Sequence, residues 1–297
     1  MLDPKIDVVF RKLFGSEENK ECLISLINSV VNTEPSIVDV SIKNPFNLAD
    51  YRGAKESILD IKAVDDHGVW YDIEMQIEAH VLYGRRALFY LSRTYAEQLE
   101  AGNDYSKLNT TIGSHFLDFR YFDDDRIVRQ FVFRDNDTGL AHKELGGVRL
   151  YFIEMAKFDL DWPEIRTALD RWVAFLNRAS GIERSALPAP LAAEPALVRA
   201  AAQLERMGLN PEERGIYEGE VKRRMVDAIQ IRSAEERGEE RGEAHGIRDT
   251  ILRIGTKRFG PPSADIVSKV EAVTAAASLR TIADRLLESE SWHELLA

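Results

Sequence analysis

The chain has 297 residues, of which 44% are apolar and 30% are charged, a composition typical of a globular protein with a sizeable core. Its net charge of −11 excludes a protein that coats nucleic acid or anionic lipid through bulk charge, although it is compatible with a local basic patch. The single cysteine, Cys22, excludes a disulfide framework and every metal site built from several cysteines. No apolar run approaches about 18 residues and the first residues do not resemble a signal peptide, so we expect a soluble, cytoplasmic protein without a membrane partner.

The first predicted element is a helix with Asp3 as its N-cap, Pro4 as its first helical residue and Gly15 at its end. Ser16 is then predicted to cap a second helix, whose apolar face ends at Val31. Further along the chain, β-branched residues alternate with polar ones and predict strands. The remaining predicted elements are a strand over 36–43, a polar loop over 45–56, strands over 57–64 and 69–77, a helix over 79–101, strands over 109–119, 127–134 and 147–154, and a helix from about residue 163.

The composition of the chain changes after this α/β region. Three prolines and many alanines follow, which predict a linker with some helix, and a highly charged helical stretch comes next. In that stretch Gly238, Gly242 and Gly246 recur every four residues, and two short helices are predicted over 263–297. The predicted divisions are an α/β domain over 1–180, a linker or helix over 181–210, a charged glycine-repeat helix over 211–250 and a small helical region over 251–297.

Two acidic residues meet across the predicted hairpin, whose turn runs from Asp65 to Gly68. If the turn closes by pairing Asp65 with Val69, Asp60 lies directly opposite Glu74, with the two Cβ atoms roughly 5 Å apart. Two carboxylates this close repel each other unless a cation or a shared proton lies between them. A hard divalent ion with oxygen ligands, Mg²⁺ or Mn²⁺, is the natural occupant.

These residues resemble the metal-binding core of the PD-(D/E)XK nucleases, and in particular the recombination-promoting nuclease (Rpn) transposase group. The resemblance covers roughly the first 180 residues, and the motifs that carry it are Lys5 to Phe14, Ile58 to Asp60, Ile73 to Gln76, Arg86 to Tyr90 and Gly102 to Tyr105. It implies an α/β fold, a mixed sheet flanked by helices, and divalent-metal-dependent cleavage of DNA phosphodiester bonds. It also implies that Asp60 and Glu74 bind the metal and that Gln76 occupies the third motif position.

Gln76 stands where the wider superfamily usually has a lysine. A lysine orients the attacking water and offsets charge in the transition state, whereas a glutamine can bind water but supplies no charge. The Rpn-like group resembles this chain in having glutamine, so Gln76 does not by itself indicate an inactive protein. Lys62, which the hairpin register places opposite Asp72 in a structural pair, is one candidate for the missing charge. More remote candidates are Arg85, Arg86 and Lys12, and these three residues together with Lys62 are the expected contacts with DNA.

Asp7 is a third acidic candidate, and two interpretations of it stay open. The resemblance implies that an acid on the first helix contributes to the metal site. The alternative is that Asp7 only provides a favourable negative charge near the N-terminus of that helix.

The sequence thus predicts a Mg²⁺-dependent DNA endonuclease linked to recombination or mobile elements. Two alternatives belong to other classes: a DNA- or protein-interaction module that keeps the sheet without cleaving, and an oligomeric scaffold dominated by the C-terminal helices. The glycine-repeat helix favours self-association over a flexible linker, because a smooth glycine face lets another helix approach closely. We therefore expect a homo-oligomer that assembles through C-terminal helices in a coiled coil.

Overall fold

The computed structural model describes residues 1–31, 35–44 and 60–297, and it describes only the backbone of Asp60. The predicted loop over 45–56 and the start of the predicted strand at 57–59 lie outside the described residues. The chain divides into two compact units, Met1–Glu218 and Gly219–Ala297. The finer divisions predicted from composition stay predictions.

The first unit is built around a mixed sheet, which has six strands in the described part of the chain. Across the sheet the strands are ordered β1-β2-β3-β4-β6-β5. The β3, β4 and β6 strands run parallel, and the other neighbouring strands pair antiparallel. These strands are β1 (Val40–Ile42), β2 (Asp60–Asp65), β3 (Trp70–Gln76), β4 (Thr111–Leu117), β5 (Val128–Val132) and β6 (Val148–Glu154). The predicted α/β fold with a mixed sheet flanked by helices is confirmed.

Helices cover both faces of the sheet. The helices of the first unit are α1 (Asp7–Phe14), α2 (Lys20–Val31), α3 (Tyr83–Ala96), α4 (Ala168–Arg178), α5 (Ala189–Ala192) and α6 (Pro195–Arg206), and α7 (Pro211–Phe259) continues into the second unit. The α3 helix packs on β3, β4 and β6, whereas α1 contacts β2, and α2, α4 and α6 pack around α1 and one another. Because α6 is packed in this way, part of the predicted linker is an integral helix of the first unit.

The β2–β3 hairpin has the register that the sequence predicts. Asp60 pairs with Glu74 and Lys62 pairs with Asp72. The turn closes through a hydrogen bond from the Asp65 N–H to the carbonyl of Val69, 3.1 Å long. Gly68 in this turn has a φ of +80°, a left-handed conformation that glycine adopts without steric cost.

A glycine on β4 allows α3 to approach the sheet closely. A Cβ atom at Gly113 would lie 3.2 Å from Cδ1 of both Leu91 on α3 and Leu150 on β6. That spacing is tighter than ordinary van der Waals contact, so a larger side chain would push the helix outward. The position of α3 matters because this helix covers the acidic face of β3.

The start of the chain differs from the prediction. The first helix begins at Asp7 with Ile6 as its N-cap, and not at Asp3 and Pro4. The Asp3 carboxylate accepts a hydrogen bond from the Lys5 N–H, which forms a local turn before the helix. Such a turn competes with helical conformation and delays the start of α1.

Ser16 does not cap the second helix. It precedes a 3₁₀ turn over Glu17–Asn19, its side chain forms no capping hydrogen bond, and α2 begins only at Lys20. The helix predicted from about residue 163 likewise begins with a 3₁₀ turn over Trp162–Glu164, and α4 starts at Ala168. In both places a short 3₁₀ turn takes up the first predicted residues.

Replacing Thr167 by alanine is expected to lower the free energy of unfolding by about 1 kcal/mol, because Thr167 caps α4. Its side chain accepts a hydrogen bond from the Asp170 N–H at 3.0 Å, and the Asp170 carboxylate accepts one from the Thr167 N–H at 2.8 Å. Urea denaturation measures the change. Ser16→Ala is the matched control and should leave stability almost unchanged, and an equal loss in both variants would contradict the assignment of the caps.

The second unit is a small helical bundle. Around the C-terminal part of α7 it contains α8 (Ala264–Ala272), α9 (Ala276–Arg285) and α10 (Trp292–Leu295), so residues 263–297, all described, form three helices where two were predicted. Its core includes Ile251, Val270, Leu279 and Trp292. No helix in the described part of the chain is long and apolar enough to cross a membrane.

Candidate active site

A row of polar residues crosses the middle of the sheet. Glu74 on β3 pairs with Asp60 of β2 on one side and with His115 of β4 on the other. Directly paired residues of neighbouring strands lie on one face of a sheet. This face is the one that α3 covers, because Tyr83 and Arg86 of that helix contact the row. The predicted opposition of Asp60 and Glu74 is therefore confirmed at the level of the backbone register.

Glu74 is a buried carboxylate held by cationic and hydrogen-bonding groups, with only 3% of the residue exposed. Its Oε1 lies 3.2 Å from Nη2 of Arg86, and its Oε2 lies 3.2 Å from Nδ1 of His115. Burial raises the pKa of Glu74, but His115, Arg86 and a hydrogen bond from Tyr83 outweigh that effect and hold the pKa below its usual value. The carboxylate of Glu74 is therefore ionised at neutral pH.

His115 and Tyr83 form the inner side of this network. Both residues are fully buried, and the Tyr83 hydroxyl lies 2.8 Å from Nδ1 of His115. Because a carboxylate can only accept hydrogen bonds, the contact between Nδ1 and Glu74 requires that His115 carries a proton on Nδ1. Burial and the charge of Glu74 raise the pKa of Tyr83 well above its ordinary value, so its phenol stays protonated and remains a donor.

Gln76 lies two residues beyond Glu74 on the same strand and therefore on the same face. Its amide nitrogen donates a 3.0 Å hydrogen bond to the carbonyl of Glu78, which fixes the orientation of the amide group. The amide oxygen is buried and accepts no hydrogen bond from the residues that the structure describes. This oxygen is available for a water molecule or a cation.

Lys62 and Asp72 lie on the same face as Glu74 and next to the C-terminal half of α3. The Lys62 ammonium forms a 2.9 Å ion pair with Glu97, just beyond the end of α3. Asp72 is buried, and one of its oxygens lies 3.4 Å from the Thr94 hydroxyl. Their direct pairing across the hairpin supports a structural role for both side chains.

The other predicted site residues are placed differently. The Lys12 ammonium lies 2.7 Å from a carboxylate oxygen of Glu213, an ion pair that joins α1 to the start of α7. Arg85 is exposed on α3, next to Arg86. Asp7 is half-buried in the first turn of α1, where a negative charge is favourable, and its place in the site stays a prediction.

Two residues of this site do not follow from the hairpin pattern. Tyr83 and His115 become neighbours of Glu74 only when β4 pairs in parallel with β3 and α3 crosses between them. The available signal was a histidine in the middle of a predicted strand, which is also compatible with an ordinary core residue. The side-chain contacts establish that His115 belongs to the Glu74 network.

The donor atoms on this face fit a hard divalent cation. Glu74 offers ionised carboxylate oxygens, and Gln76 offers a buried amide oxygen without a hydrogen-bond donor among the described residues. Oxygen ligands of this kind are those that Mg²⁺ binds. Among the described side chains no group of three or more His, Cys, Asp or Glu is placed to hold a metal, and the side chain of Asp60 is not among those described.

A mixed sheet with a buried, ionised glutamate opposite an aspartate on its central hairpin defines a nuclease-like α/β domain. The family model of the PD-(D/E)XK nuclease family transposases matches residues 4–234, and the chain belongs to that family. This confirms the resemblance found in the sequence and gives the chain a nuclease-like function. Searches of the curated proteins and of the solved structures found no significant match.

Proposed function

We propose that this protein is a divalent-metal-dependent DNA endonuclease that hydrolyses phosphodiester bonds. The observation that carries the proposal is the buried and ionised Glu74, paired in register with Asp60 on the central hairpin. A buried carboxylate normally becomes neutral, and here three groups keep it charged. Such an arrangement suits a ligand for a cation better than a purely structural residue.

Asp60 and Glu74 would hold the metal, with Mg²⁺ as the proposed ion and Mn²⁺ as its substitute. When bound, the ion lowers the pKa of a water ligand and offsets negative charge on the scissile phosphate. Gln76 positions the attacking water through its amide oxygen, which the described residues leave without a hydrogen bond. In the hydrolysis the water oxygen bonds to phosphorus, one P–O ester bond breaks, and the leaving oxygen takes up a proton while the second water proton passes to solvent.

The substrate follows from the family and from the charge of the chain. Because the chain carries a net charge of −11, its affinity for DNA depends on a few local cations and falls steeply with salt. We place the activity in recombination or mobile elements, as the family suggests, in a cytoplasmic protein that self-associates through its C-terminal helices.

Purified protein is incubated with supercoiled plasmid in Mg²⁺, in Mn²⁺ and in EDTA, alongside Asp60→Ala. Nicking by the wild type that requires the metal and is lost in Asp60→Ala is the expected result. Circular dichroism and size exclusion show whether the variant is folded. Absence of cleavage by well-folded wild type, on plasmid and on single-stranded DNA, would contradict the proposal and favour a non-catalytic interaction module.

A further inference from the structure

The third position of the nuclease motif lacks a positive charge in this chain. Gln76 stands there, and its amide is neutral at every pH of interest. Hydrolysis of a phosphodiester builds negative charge on the phosphate oxygens, and a cation placed against that charge is among the largest contributions a protein can make. A protein cation that acts in place of that lysine beside the metal ion would therefore come from another element of the fold.

The structure brings a guanidinium group to this face from α3. Nη2 of Arg86 lies 3.2 Å from Oε1 of Glu74, two residues before Gln76 on β3. The Arg86 side chain is 36% exposed, so its guanidinium touches the buried carboxylate and also reaches solvent. The Tyr90 ring, one turn further along α3, lies 5.6 Å from the guanidinium carbon and limits the directions in which the side chain can extend.

Arg86 retains hydrogen-bond donors beyond its contact with Glu74. A guanidinium group has five N–H donors in one plane, a geometry that matches two oxygens of a phosphate. The Nε–H of Arg86 is buried and meets no acceptor among the described residues. Such a donor can bind an acceptor that arrives with the substrate, for example an oxygen of the phosphate.

The two lysines considered for this role have other partners. Lys62 is paired with Glu97 at 2.9 Å, and Lys12 is paired with Glu213 at 2.7 Å. Each of these ammonium groups lies against a carboxylate outside the Asp60–Glu74 pair. Arg86, in contrast, is ion-paired with Glu74 itself.

We propose that Arg86 is the catalytic cation that takes the part of the missing lysine, by donating hydrogen bonds to a non-bridging oxygen of the scissile phosphate. The assignment rests on the proposed nuclease function. Arg86 offsets the charge that grows on this oxygen as the water attacks, and its pairing with Glu74 fixes it at that place before the substrate binds. Its effect should be larger in the transition state than in the bound ground state.

The test compares four full-length variants with the wild type in single-turnover cleavage of plasmid DNA. They are Arg86→Gln, Arg86→Lys, the double variant Arg86→Gln with Gln76→Lys, and Arg199→Gln as the control. Arg199 is an exposed arginine of α6 in a 2.9 Å ion pair with Glu21, so the control removes the same charge and also breaks an ion pair. DNA affinity is measured in EDTA by fluorescence anisotropy, and urea denaturation reports folding.

Arg86→Gln should lower the cleavage rate about 10²- to 10³-fold with a much smaller change in DNA affinity, while Arg199→Gln stays within about twofold of the wild type. Arg86→Lys should recover part of the rate lost in Arg86→Gln, because it keeps the charge although it loses the planar set of donors. In the double variant, Gln76→Lys should raise the cleavage rate at least about tenfold above that of Arg86→Gln alone, since it places a positive charge on the strand. Arg86→Lys and the double variant keep a cation beside Glu74. Their cleavage rates, compared with the wild type, therefore still test the assignment if Arg86→Gln does not fold.

Two results would overturn the assignment alone. One is an active wild type whose rate is unchanged in Arg86→Gln. The other is that Arg86→Lys cleaves as slowly as Arg86→Gln and that the added Gln76→Lys does not raise the rate of Arg86→Gln. Arg86 would then be only a structural partner of Glu74. A wild type that cleaves no DNA in Mg²⁺ or Mn²⁺ overturns the proposed function and this assignment together, so the two failures are distinguishable.

Discussion

Replacing Glu74 by glutamine is expected to lower the cleavage rate by about a thousandfold or more, in a protein that keeps its sheet. Glutamine has nearly the shape of glutamate but lacks its negative charge, so it binds a divalent ion far more weakly. The amide oxygen can still accept a hydrogen bond from one of the two groups, Arg86 or His115, that contact the two oxygens of Glu74 in the wild type. Single-turnover cleavage of plasmid DNA in Mg²⁺ measures the effect.

Asp72→Asn is the matched control for Glu74→Gln. Asp72 is also a buried carboxylate on β3, two residues before Glu74 on the same face, and it contacts Thr94. Asp72→Asn is expected to lower the free energy of unfolding measured in urea, because it replaces a buried, hydrogen-bonded carboxylate. The folded variant should cleave DNA at a rate within a few-fold of the wild type. Equal losses of cleavage in the two variants, or full activity in Glu74→Gln, would contradict the assignment of Glu74 as the metal ligand.

The hairpin could be predicted from the sequence because its determinants are local. The period of two along each strand determines which residues share a face, and the closure of the turn between Asp65 and Val69 determines the register; a shift by one residue would turn the acidic face toward the other side of the sheet. The structure reproduces the predicted pairs of Asp60 with Glu74 and of Lys62 with Asp72. Family motifs confined to this segment were therefore recognisable from the chain alone.

The inner part of the site depends on pairing between distant segments and was not predicted. His115 reaches Glu74 only through the parallel register of β4 on β3, which is set by the crossover helix α3. Arg86 begins one of the motifs that carry the family resemblance, but that motif does not indicate that its guanidinium contacts Glu74, whereas its neighbour Arg85 is exposed.

Local signals also failed where tertiary structure offered a competing partner. Aspartate is a residue type that favours the N-cap position. The Asp3 carboxylate instead accepts a hydrogen bond from the Lys5 N–H, and the Asp3 N–H donates one to the hydroxyl of Tyr217. A favourable N-cap residue contributes about 1 kcal/mol to the stability of a helix, and a few hydrogen bonds to other partners outweigh this contribution. Helix boundaries are accordingly the least predictable part of this fold.

Removing the hydroxyl of Tyr83 is expected to weaken Mn²⁺ binding and cleavage about 10- to 100-fold, because the hydroxyl helps to orient a metal ligand. Tyr83 is fully buried, lies 2.8 Å from Nδ1 of His115, and donates to Glu74, whose pKa it helps to lower. In Tyr83→Phe the aromatic packing is kept, but Glu74 loses one of its three donors. Calorimetric titration of the full-length protein with Mn²⁺ measures affinity independently of cleavage.

Tyr121→Phe separates this positioning effect from a general effect on packing. The Tyr121 ring lies 6.2 Å from that of Tyr83 in the same aromatic cluster, and its hydroxyl accepts a hydrogen bond from the Gly84 N–H at 2.9 Å. Both variants thus lose one hydroxyl group that forms hydrogen bonds, but only the Tyr83 hydroxyl contacts Glu74. If Mn²⁺ affinity falls equally in both variants, the loss reflects α3 packing; a fall confined to Tyr83→Phe means that the buried phenol holds the carboxylate in its metal-binding orientation.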